Sequence, residues 1–465
     1  MKKNKAVSAG IGYTLGNILI KGINFLSIPV FSRLLTTEEF GVYNVFISYE
    51  AILYVVVGMA LHSCLRSANI KYKGKIDEFT SSISIIYLIN CLILLILGLL
   101  FNGSIHNITD FSLVEIILLV FYSFSTALLA LYNNRIAIDY EYKDYLFVSL
   151  LNTLGNVFIS LFLVLTLFRS QKDLGRIIGV VFTSCSLAFL VLSRLYRKAK
   201  PKIRKEYWKF AIKYSLPIIP HGISQVILSQ FDRIMISSIC GSSYAGIYSL
   251  AGNIQLILTI ITDSISNAWS TWFYENFKQE DLYRIQKRAV EICSLFLICS
   301  ILLITISPEL ILILGGEKYN LAKFVAIPMI ISAFLLFIYN IIVVVEYYYG
   351  KTVFIMTGTI IATIINLITN YIFIHLYGFI AAAYTTLFSY FCFLLIHIFI
   401  SHRIIDNYII RIRYLFSFLI VISCIAIFDL ININNLILRW SIGIVISLII
   451  FFILLKNKDK SKEEC

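Results

Sequence analysis

The stretch ILSQFDRIMISSICG, residues 227–241, has the apolar character of a membrane-crossing helix but carries Asp232 and Arg233 side by side. A charged side chain at the centre of a bilayer costs about 2.5 to 3.5 kcal/mol on insertion scales. Two adjacent charges therefore need partners on neighbouring helices or a water-filled cavity. Which of these applies depends on the chain that surrounds them.

The composition places the chain in a membrane. Of its 465 residues, 59% are hydrophobic and only 14% are charged, whereas soluble domains have about 45 to 50% apolar and about 25% charged residues. The basic start, MKKNKAVSAGIGYTLGNILI, lacks a compact apolar core followed by a small-residue cleavage site. We therefore interpret it as an uncleaved first helix of a polytopic membrane protein.

Apolar runs near 20 residues, the length that crosses a bilayer as a helix, predict the membrane spans. They lie at residues 10–32, 41–62, 79–101, 112–134, 145–168, 176–196, 215–240, 245–270, 289–314, 323–349, 353–376, 379–402, 411–432 and 436–456. The predicted fold is therefore all-α and polytopic, with about 14 transmembrane helices in two pseudo-symmetric six-helix lobes plus a C-terminal helix pair. The domains are a lobe at 1–196, a cytoplasmic basic linker at 197–214, a lobe at 215–402, and the additional pair with a basic cytoplasmic tail at 403–465.

The distribution of positive charge predicts the orientation. With the N-terminus in the cytoplasm, the inner segments hold 30 Lys or Arg residues and the outer loops hold 7. The positive-inside rule then places both termini in the cytoplasm. In the linker, Lys205, Lys209 and Lys213 recur every four residues, which predicts a helix lying on the inner leaflet. The net charge of +13 thus reflects topology rather than nucleic-acid binding.

Two sequence matches indicate that the lobes are repeats. NFLSIPVFSRLLTTEEFGVYNVF from Asn24 aligns without gaps on SQFDRIMISSICGSSYAGIYSLA from Ser229, and LGRIIGVVFTSCS from Leu174 matches YGFIAAAYTTLFS from Tyr377. Because both six-helix halves start in the cytoplasm, the predicted repeats are parallel. Transporters built in this way bind their substrate near the midplane between the halves.

Lys21 and Arg233 are the only basic residues that fall deep inside predicted spans, each in the first helix of its lobe. A lysine facing a cavity indicates an anionic ligand, although a long side chain that snorkels to the membrane surface is the alternative. Polar residues that form helical stripes with these charges, or on the eleventh predicted helix, are Asn17, Asn24, Gln225 and Asn366. The alternative for these neutral residues is hydrogen bonding between helices.

The acidic residues within spans are candidates for charge pairing or ion coupling. Asp232 is either the charge partner that orients Arg233 or part of an ion pair with another helix. Glu50, Asp263 and Glu346 are the other acids that we predict to act as partners or as relays for a coupling ion.

Most enzymatic chemistry has no support in the sequence. The nine cysteines contain no CxxC pair and the six histidines show no ligand spacing, so we predict no metal site and no cofactor. A glycine-rich phosphate loop followed by lysine is also missing from the sequence. Without an ATPase module, transport of a charged substrate would draw on an H⁺ or Na⁺ gradient.

Three segments carry a family resemblance. QFDRIMISSICGSSYAGIYSLA at 230–251, INLITNYIFIHLYGFIAAAYTTLFSY at 365–390 and SRLLTTEEFGVYNVF at 32–46 resemble the polysaccharide-transporter branch of the multidrug/oligosaccharidyl-lipid/polysaccharide (MOP) exporter superfamily. Together with the fourteen-helix layout, the resemblance covers nearly the whole chain.

The resemblance implies a flippase in the bacterial cytoplasmic membrane. Its substrate would be an undecaprenyl-pyrophosphate-linked oligosaccharide, the repeat unit of O-antigen, capsule or exopolysaccharide, moved by alternating access. Lys21 and Arg233 would hold the pyrophosphate, and Asn17, Asn24, Gln225 and Asn366 would hold the sugar. Implied partners are membrane lipids and the polysaccharide polymerase and assembly machinery, with no nucleic acid.

Three other functions fit parts of the sequence. A lipid II flippase would share the fold and an anionic lipid substrate. A drug or cation antiporter of the same superfamily would need an acidic cavity, which Lys21 and Arg233 disfavour. A membrane polysaccharide polymerase or ligase would need a large outer loop, whereas no predicted outer loop exceeds about a dozen residues, which is too short for a catalytic site.

Overall fold

The computed structural model describes residues 2–277 and 282–463, which form helices with no strand among them. The helices are α1 (Lys2–Leu34), α2 (Thr37–Gly58), α3 (Leu65–Lys71), α4 (Ile76–Leu100), α5 (Asn102–Thr109), α6 (Leu113–Ile138), α7 (Tyr142–Leu165), α8 (Lys172–Lys198), α9 (Lys205–Ser215), α10 (Ile218–Cys240), α11 (Ser242–Phe277), α12 (Leu282–Gly315), α13 (Ala322–Ile342), α14 (Val344–Tyr348), α15 (Thr352–Tyr377), α16 (Ile380–Ile405), α17 (Ile412–Ile431) and α18 (Leu436–Glu463). The all-α, polytopic prediction is confirmed.

Within the described residues, 13 helices are long and apolar enough to cross a membrane. The seventh predicted span, 215–240, corresponds to α10, a 23-residue helix that is not among these 13. Its polar residues, Asp232 and Arg233 among them, lower its hydropathy. The predicted span that contains Asp232 and Arg233 is therefore also the least apolar one.

The chain divides into two compact units, residues 1–246 and 247–465, called unit 1 and unit 2 below. Unit 1 contains α1 to α10 and the first residues of α11. In it α8 packs on α6 and α7, and α2 packs on α6 and α10. The unit boundary thus assigns α10 to the N-terminal unit, whereas the repeat pattern begins the second lobe at residue 215; the lobe division itself stays a prediction.

The glycines aligned by the repeat pattern contact each other in unit 1. A Cβ atom on Gly41 would lie 1.7 Å from the backbone oxygen of Ser242, and one on Gly246 would lie 2.1 Å from the backbone oxygen of Thr37. The two helix starts therefore cross so closely that only glycine fits at either position. Thr37 and Ser243 add a hydrogen bond of 2.7 Å between their hydroxyls.

A capping box sets the start of α2. The Thr36 hydroxyl accepts from the Glu39 N–H at 3.1 Å, and the Glu39 carboxylate accepts from the Thr36 N–H at 2.7 Å. This reciprocal pair satisfies two backbone donors that the first turn of a helix leaves open. The helix consequently begins at Thr37, four residues before the apolar run from which the span was predicted.

The predicted linker helix exists as α9, but one of its faces packs on protein. Tyr207 and Ala211 are buried in a core that includes Phe79 of α4, and the Trp208 indole donates to the Ser82 carbonyl at 2.9 Å. Arg204, just before the helix, pairs with Glu78 at 2.7 Å. The helix is thereby attached to unit 1.

Unit 2 is built around α13, of which most residues are buried. A helix that is apolar on all sides belongs in the middle of a bundle, and α13 packs against α12 and α16. The C-terminal pair attaches to this bundle through Arg439 of α18, whose guanidinium is 1% exposed and bonds the Glu309 carboxylate of α12. Gly443 allows close approach, since a Cβ there would lie 2.3 Å from the Thr305 hydroxyl.

Candidate functional site

Unit 1 contains an open, polar cavity of about 540 Å³, here called the unit 1 cavity. Its lining residues come from α1, α3, α6, α7 and the turn before α7: Gly10, Tyr13, Asn17, Arg66, Asn133, Asn134, Ala137, Tyr140 and Tyr145. The functional groups are amides, phenol hydroxyls and one guanidinium, with no carboxylate among these lining residues. Such a set suits a ligand that combines negative charge with hydroxyl groups.

Two glycines bring α1 against α7 and so form one wall of the cavity. A Cβ on Gly12 would lie 2.3 Å from the Tyr142 ring, and one on Gly16 would lie 1.7 Å from the Leu146 side chain. This G-x-x-x-G spacing is a common means of close helix packing in membranes. Tyr13 lies between the two glycines and consequently contacts Tyr145 in a T-shaped arrangement, with ring centroids 5.0 Å apart.

A partly exposed ion-pair network around a buried guanidinium holds the end of α6 that forms the opposite wall. Arg135 is largely buried and bonds Asp77 of α4 and Asp139, both at 2.7 Å. Because both carboxylates share one guanidinium, the helix end has little freedom to rotate. The preceding residues, Asn133 and Asn134, are thereby held in the cavity lining.

The polar groups of the cavity differ in how far they are exposed. The Arg66 side chain is exposed, whereas Tyr13 Oη and Asn133 Oδ1 are buried and have no hydrogen-bond partner among the described residues. Asn17 accepts from the Tyr145 hydroxyl at 2.6 Å, which leaves its amide NH₂ group to donate elsewhere. The cavity thus has positive charge, donors and acceptors on one surface.

Asn17 is the predicted substrate-binding residue that lines this cavity. Lys21 is half-buried one helical turn further along α1, and Asn24 is exposed. On α10, Gln225 is exposed and Arg233 is half-buried, with its guanidinium donating to Gln230. The structure therefore places these predicted residues on α1 and α10 of unit 1, with one of them in the cavity.

Asp232 and Arg233 differ in their surroundings although they are adjacent. Asp232 is only 4% exposed, whereas Arg233 is half-buried. Neighbouring residues on a helix point about 100° apart, which accounts for the difference in exposure. Whether Asp232 orients Arg233 or pairs with another helix stays a prediction.

Asn366 lies in unit 2, inside a hydrogen-bonded network between α15 and α16. Its amide donates to the Thr386 hydroxyl at 3.1 Å and its oxygen accepts from Asn370 at 3.1 Å. Asn370 in turn accepts from Thr385. Because Asn366 is fully buried, this geometry matches the structural alternative for the polar stripes.

The candidate coupling acids occupy three different environments. Glu50 of α2 accepts a hydrogen bond from Thr126 of α6, and Asp263 of α11 is exposed. Glu346 of α14 is fully buried, with its carboxylate 2.6 Å from His397 Nδ1. Glu346 is thus the predicted acid that has a titratable partner in the interior of a unit.

Sequence reasoning missed Arg66 and His397. Arg66 was counted only among the positive charges of the inner segments, and its local sequence does not distinguish it from the other basic residues there. His397, by contrast, interrupts the apolar run FCFLLIHIFI, and an ionisable residue in such a run is a recognisable functional signal. The wall residues Tyr13 and Tyr145 could have been found from the G-x-x-x-G spacing beside Tyr13.

The fold is shared with solved membrane transporters. The structure titled lipid II flippase MurJ, inward closed conformation, is 16% identical, with a TM-score of 0.78 over 96% of this chain and 99% of that one. At this level of identity the likeness shows the fold alone.

Sequence comparisons show the family. The family model described as polysaccharide biosynthesis protein matches residues 7–277, and the MatE model matches residues 217–372. Lsg locus putative protein 1 of Haemophilus influenzae is 26% identical over 78% of this chain and 89% of its own length. Capsular polysaccharide biosynthesis protein CapF of Staphylococcus aureus is 24% identical over 84% of this chain and 98% of its own length.

The chain belongs to the polysaccharide biosynthesis protein family, within the MOP superfamily. It is accordingly a multi-pass membrane transporter of the flippase type and not an enzyme. The resemblance drawn from the three sequence segments is confirmed.

Proposed function

We propose that this transporter flips undecaprenyl-pyrophosphate-linked oligosaccharide units, the precursors of O-antigen, capsule or exopolysaccharide, across the bacterial cytoplasmic membrane. Transport proceeds by alternating access, is driven by an H⁺ or Na⁺ gradient, and delivers units to polymerase and assembly machinery. The similarity to a protein named for capsular polysaccharide biosynthesis supports the substrate class.

The chemistry of the unit 1 cavity is the observation that carries this proposal. A pyrophosphate needs cations, which Arg66 in the cavity and Lys21 one turn away along α1 provide. A sugar chain needs amides, hydroxyls and aromatic faces, which Asn17, Tyr13 and their neighbours provide. The cavity volume of about 540 Å³ accommodates a pyrophosphate with one or two sugar rings, within the usual range of ligand pockets.

The position of the cavity along the helices supports cytoplasmic loading. It is lined by the start of α1, by α3, by the end of α6 and by the start of α7. The positive-inside rule assigns these ends, together with both termini, to the cytoplasm. Lipid-linked units assembled in the inner leaflet would therefore meet the cavity directly.

Lipid II is the second candidate substrate. The observation in its favour is the TM-score of 0.78 with a structure titled as a lipid II flippase. Its pyrophosphate would bind the same cations, so the two candidates differ in the sugar and peptide that follow. A drug or cation antiporter is less compatible with the cavity, because Arg66 would repel a cation and the lining residues that the structure describes include no carboxylate to attract it.

Rescue of surface polysaccharide in a strain that lacks its own repeat-unit flippase tests the proposal. Removing one charge-assisted contact costs about 1.5 to 3 kcal/mol, or roughly a tenfold to hundredfold loss of affinity. We expect Arg66→Ala, Lys21→Ala and Arg233→Ala to reduce export by such factors, and Arg66→Lys to retain more export than Arg66→Ala.

Lys73→Ala is the matched control, because Lys73 is an exposed cation of the same inner segment that does not line the cavity. Membrane abundance is measured for every variant so that misfolding is separated from lost binding. Normal abundance and parental export in all three alanine variants would refute the cationic site. Rescue of a strain depleted of its lipid II flippase, without rescue of surface polysaccharide, would favour the second candidate.

A further inference from the structure

Unit 2 encloses an acid and an imidazole that the substrate cavity does not use. Glu346 of α14 and His397 of α16 are both 0% exposed, and Glu346 Oε1 lies 2.6 Å from His397 Nδ1. In the part of the chain that the structure describes, Glu346 Oε2 and His397 Nε2 have no hydrogen-bond partner. Each side chain thus makes one short contact and has a second polar atom that no described residue bonds.

A tightened turn precedes Glu346 in the helical run that crosses unit 2. At Val343, between α13 and α14, the Glu346 N–H donates to the Val343 carbonyl at 2.9 Å, while the Val343 N–H donates to the Tyr339 carbonyl at 2.8 Å. The three-residue spacing tightens the turn relative to an α-helix, and such irregular turns inside a helix often mark functional hinges. Val343 keeps helical backbone angles, so the run continues into α14, which carries Glu346.

A glycine provides the space for the imidazole. A Cβ on Gly358 of α15 would lie 2.5 Å from His397 Nε2, so any larger residue would push the ring away. The rings of Phe393 and Tyr339 enclose it, with centroids 4.6 and 4.8 Å from that of His397. The pair therefore sits in a shaped, apolar enclosure formed by α13, α15 and α16.

The net charge of the Glu346–His397 pair depends on how many protons the two side chains bind. Among the described residues, the phenols of Tyr339 on α13 and Tyr347 on α14 interact electrostatically with Glu346; α15 faces the pair with Gly358 and α16 with Phe393. With one proton between them, Glu346 and His397 are neutral overall. Gain or loss of a proton leaves a net charge in an apolar interior, which is strongly unfavourable unless the surroundings rearrange.

The pair suits a proton better than a metal cation. A distance of 2.6 Å between Oε1 and Nδ1 leaves no space for a cation between them, and an imidazole nitrogen is a poor ligand for an alkali cation such as Na⁺. Histidine is also the side chain that changes charge between about pH 5 and 8. Carboxylate and imidazole groups inside membranes commonly serve as proton relays.

We propose that Glu346 and His397 form the proton-binding site through which the H⁺ gradient drives this transporter. This inference rests on the proposed function, because it names the coupling ion and the site of that transport cycle. Loss of the shared proton leaves a buried negative charge, which favours opening at the tightened turn of Val343 so that water reaches Oε2 and Nε2. Protonation from the other side of the membrane restores the neutral, closed pair.

Infrared titration of the purified protein, without any transport substrate, tests this site. With ¹³C-glutamate-labelled protein in lipid nanodiscs, we expect a carboxylic-acid C=O band that is lost as the pH rises. The band should be absent in Glu346→Gln, should shift its midpoint in His397→Asn, and should persist in Glu38→Gln, which removes an exposed acid.

Hydrogen exchange supplies a readout that a purely structural pair would not change. In the parent, amide exchange of residues 343–352, corrected for intrinsic pH effects, should increase with the same midpoint as the infrared band. In Glu346→Gln it should not vary with pH. The proposal would be overturned if the infrared band survives Glu346→Gln, or if amide exchange does not change with the titration of the band. Loss of the band in Glu50→Gln instead would also overturn it, because the titrating carboxyl would then be on α2.

The outcome is separable from that of the substrate proposal. The titration uses no substrate, so a failed rescue of surface polysaccharide would leave its result unaffected. Conversely, if rescue of surface polysaccharide depends on Arg66 and Lys21 while the infrared band is unchanged in Glu346→Gln, the flippase proposal is supported and the proton site is refuted.

Discussion

The unit 1 cavity and the Glu346–His397 pair of unit 2 differ in how far their polar groups are exposed to water, although both lie among apolar helices. The cavity is open, with an exposed Arg66 and an exposed Asn17, so water solvates its charges until a ligand replaces it. The pair is fully buried, with both side chains at 0% exposure, and in the proposed proton site it is neutral when it shares a proton. An open polar surface suits a large anionic ligand, whereas a closed neutral pair suits a proton.

The same contrast determines how much each region tolerates change. In the closed enclosure, every added atom displaces a packed neighbour, because interiors are filled as densely as organic crystals. In the open cavity, a lost hydroxyl or amide is replaced by water. We therefore expect packing changes near the pair to affect stability, and polar changes in the cavity to affect transport.

Gly358→Ala should have the largest effect on stability. Its Cβ would meet His397 Nε2 at 2.5 Å, and overpacking of this kind costs about 1 to 3 kcal/mol. The thermal midpoint of the protein in nanodiscs, followed by intrinsic fluorescence, should fall, and the pH-dependent infrared band should move or vanish.

Gly222→Ala of α10 is the control for this substitution. A Cβ there would meet its nearest neighbour, Val55 Cγ1, at 3.7 Å, which is an ordinary contact. Alanine also favours a helix over glycine by about 1 kcal/mol, so the midpoint should hold or rise. Equal behaviour of the two variants would show that the enclosure around His397 is not tightly packed.

Tyr145→Phe should have a smaller effect, in the open region. It removes the 2.6 Å hydrogen bond to Asn17, a contact worth about 0.5 to 1.5 kcal/mol, but keeps the ring that stacks on Tyr13. The thermal midpoint should fall less than in Gly358→Ala, while export in the rescue assay should decline up to about tenfold. A stability loss as large as that of Gly358→Ala would mean that this wall is core rather than binding surface.

The sequence predicted the helices well because apolar length alone determines what can cross a bilayer. It predicted their ends less well, because helices continue beyond the apolar run wherever capping or packing permits. The eighth span, predicted at 245–270, is part of the helix Ser242–Phe277. The tightened turn at Val343 gave no signal, since the residues next to it on both sides are apolar.

The site was predicted only in part, for a physical reason. Asn17 was found because a polar stripe on an apolar helix is visible in one segment of sequence. Arg66 joins it in the cavity through the packing of α3 near α1 and α6, which is a tertiary contact. Likewise Glu346 was identified alone, whereas its partner lies 51 residues away and the glycine that admits the imidazole is on a third helix.

The most direct test of the account is a flipping assay with purified protein in liposomes. Undecaprenyl-pyrophosphate carrying a labelled oligosaccharide is placed in both leaflets, and a membrane-impermeant reagent reports the fraction exposed outside. With the parental chain, the fraction modified should rise with time from about half toward completion, and Arg66→Ala should slow this roughly tenfold to hundredfold. If folded parental protein leaves the fraction at the level of protein-free liposomes, the proposal that this chain flips lipid-linked oligosaccharides is contradicted.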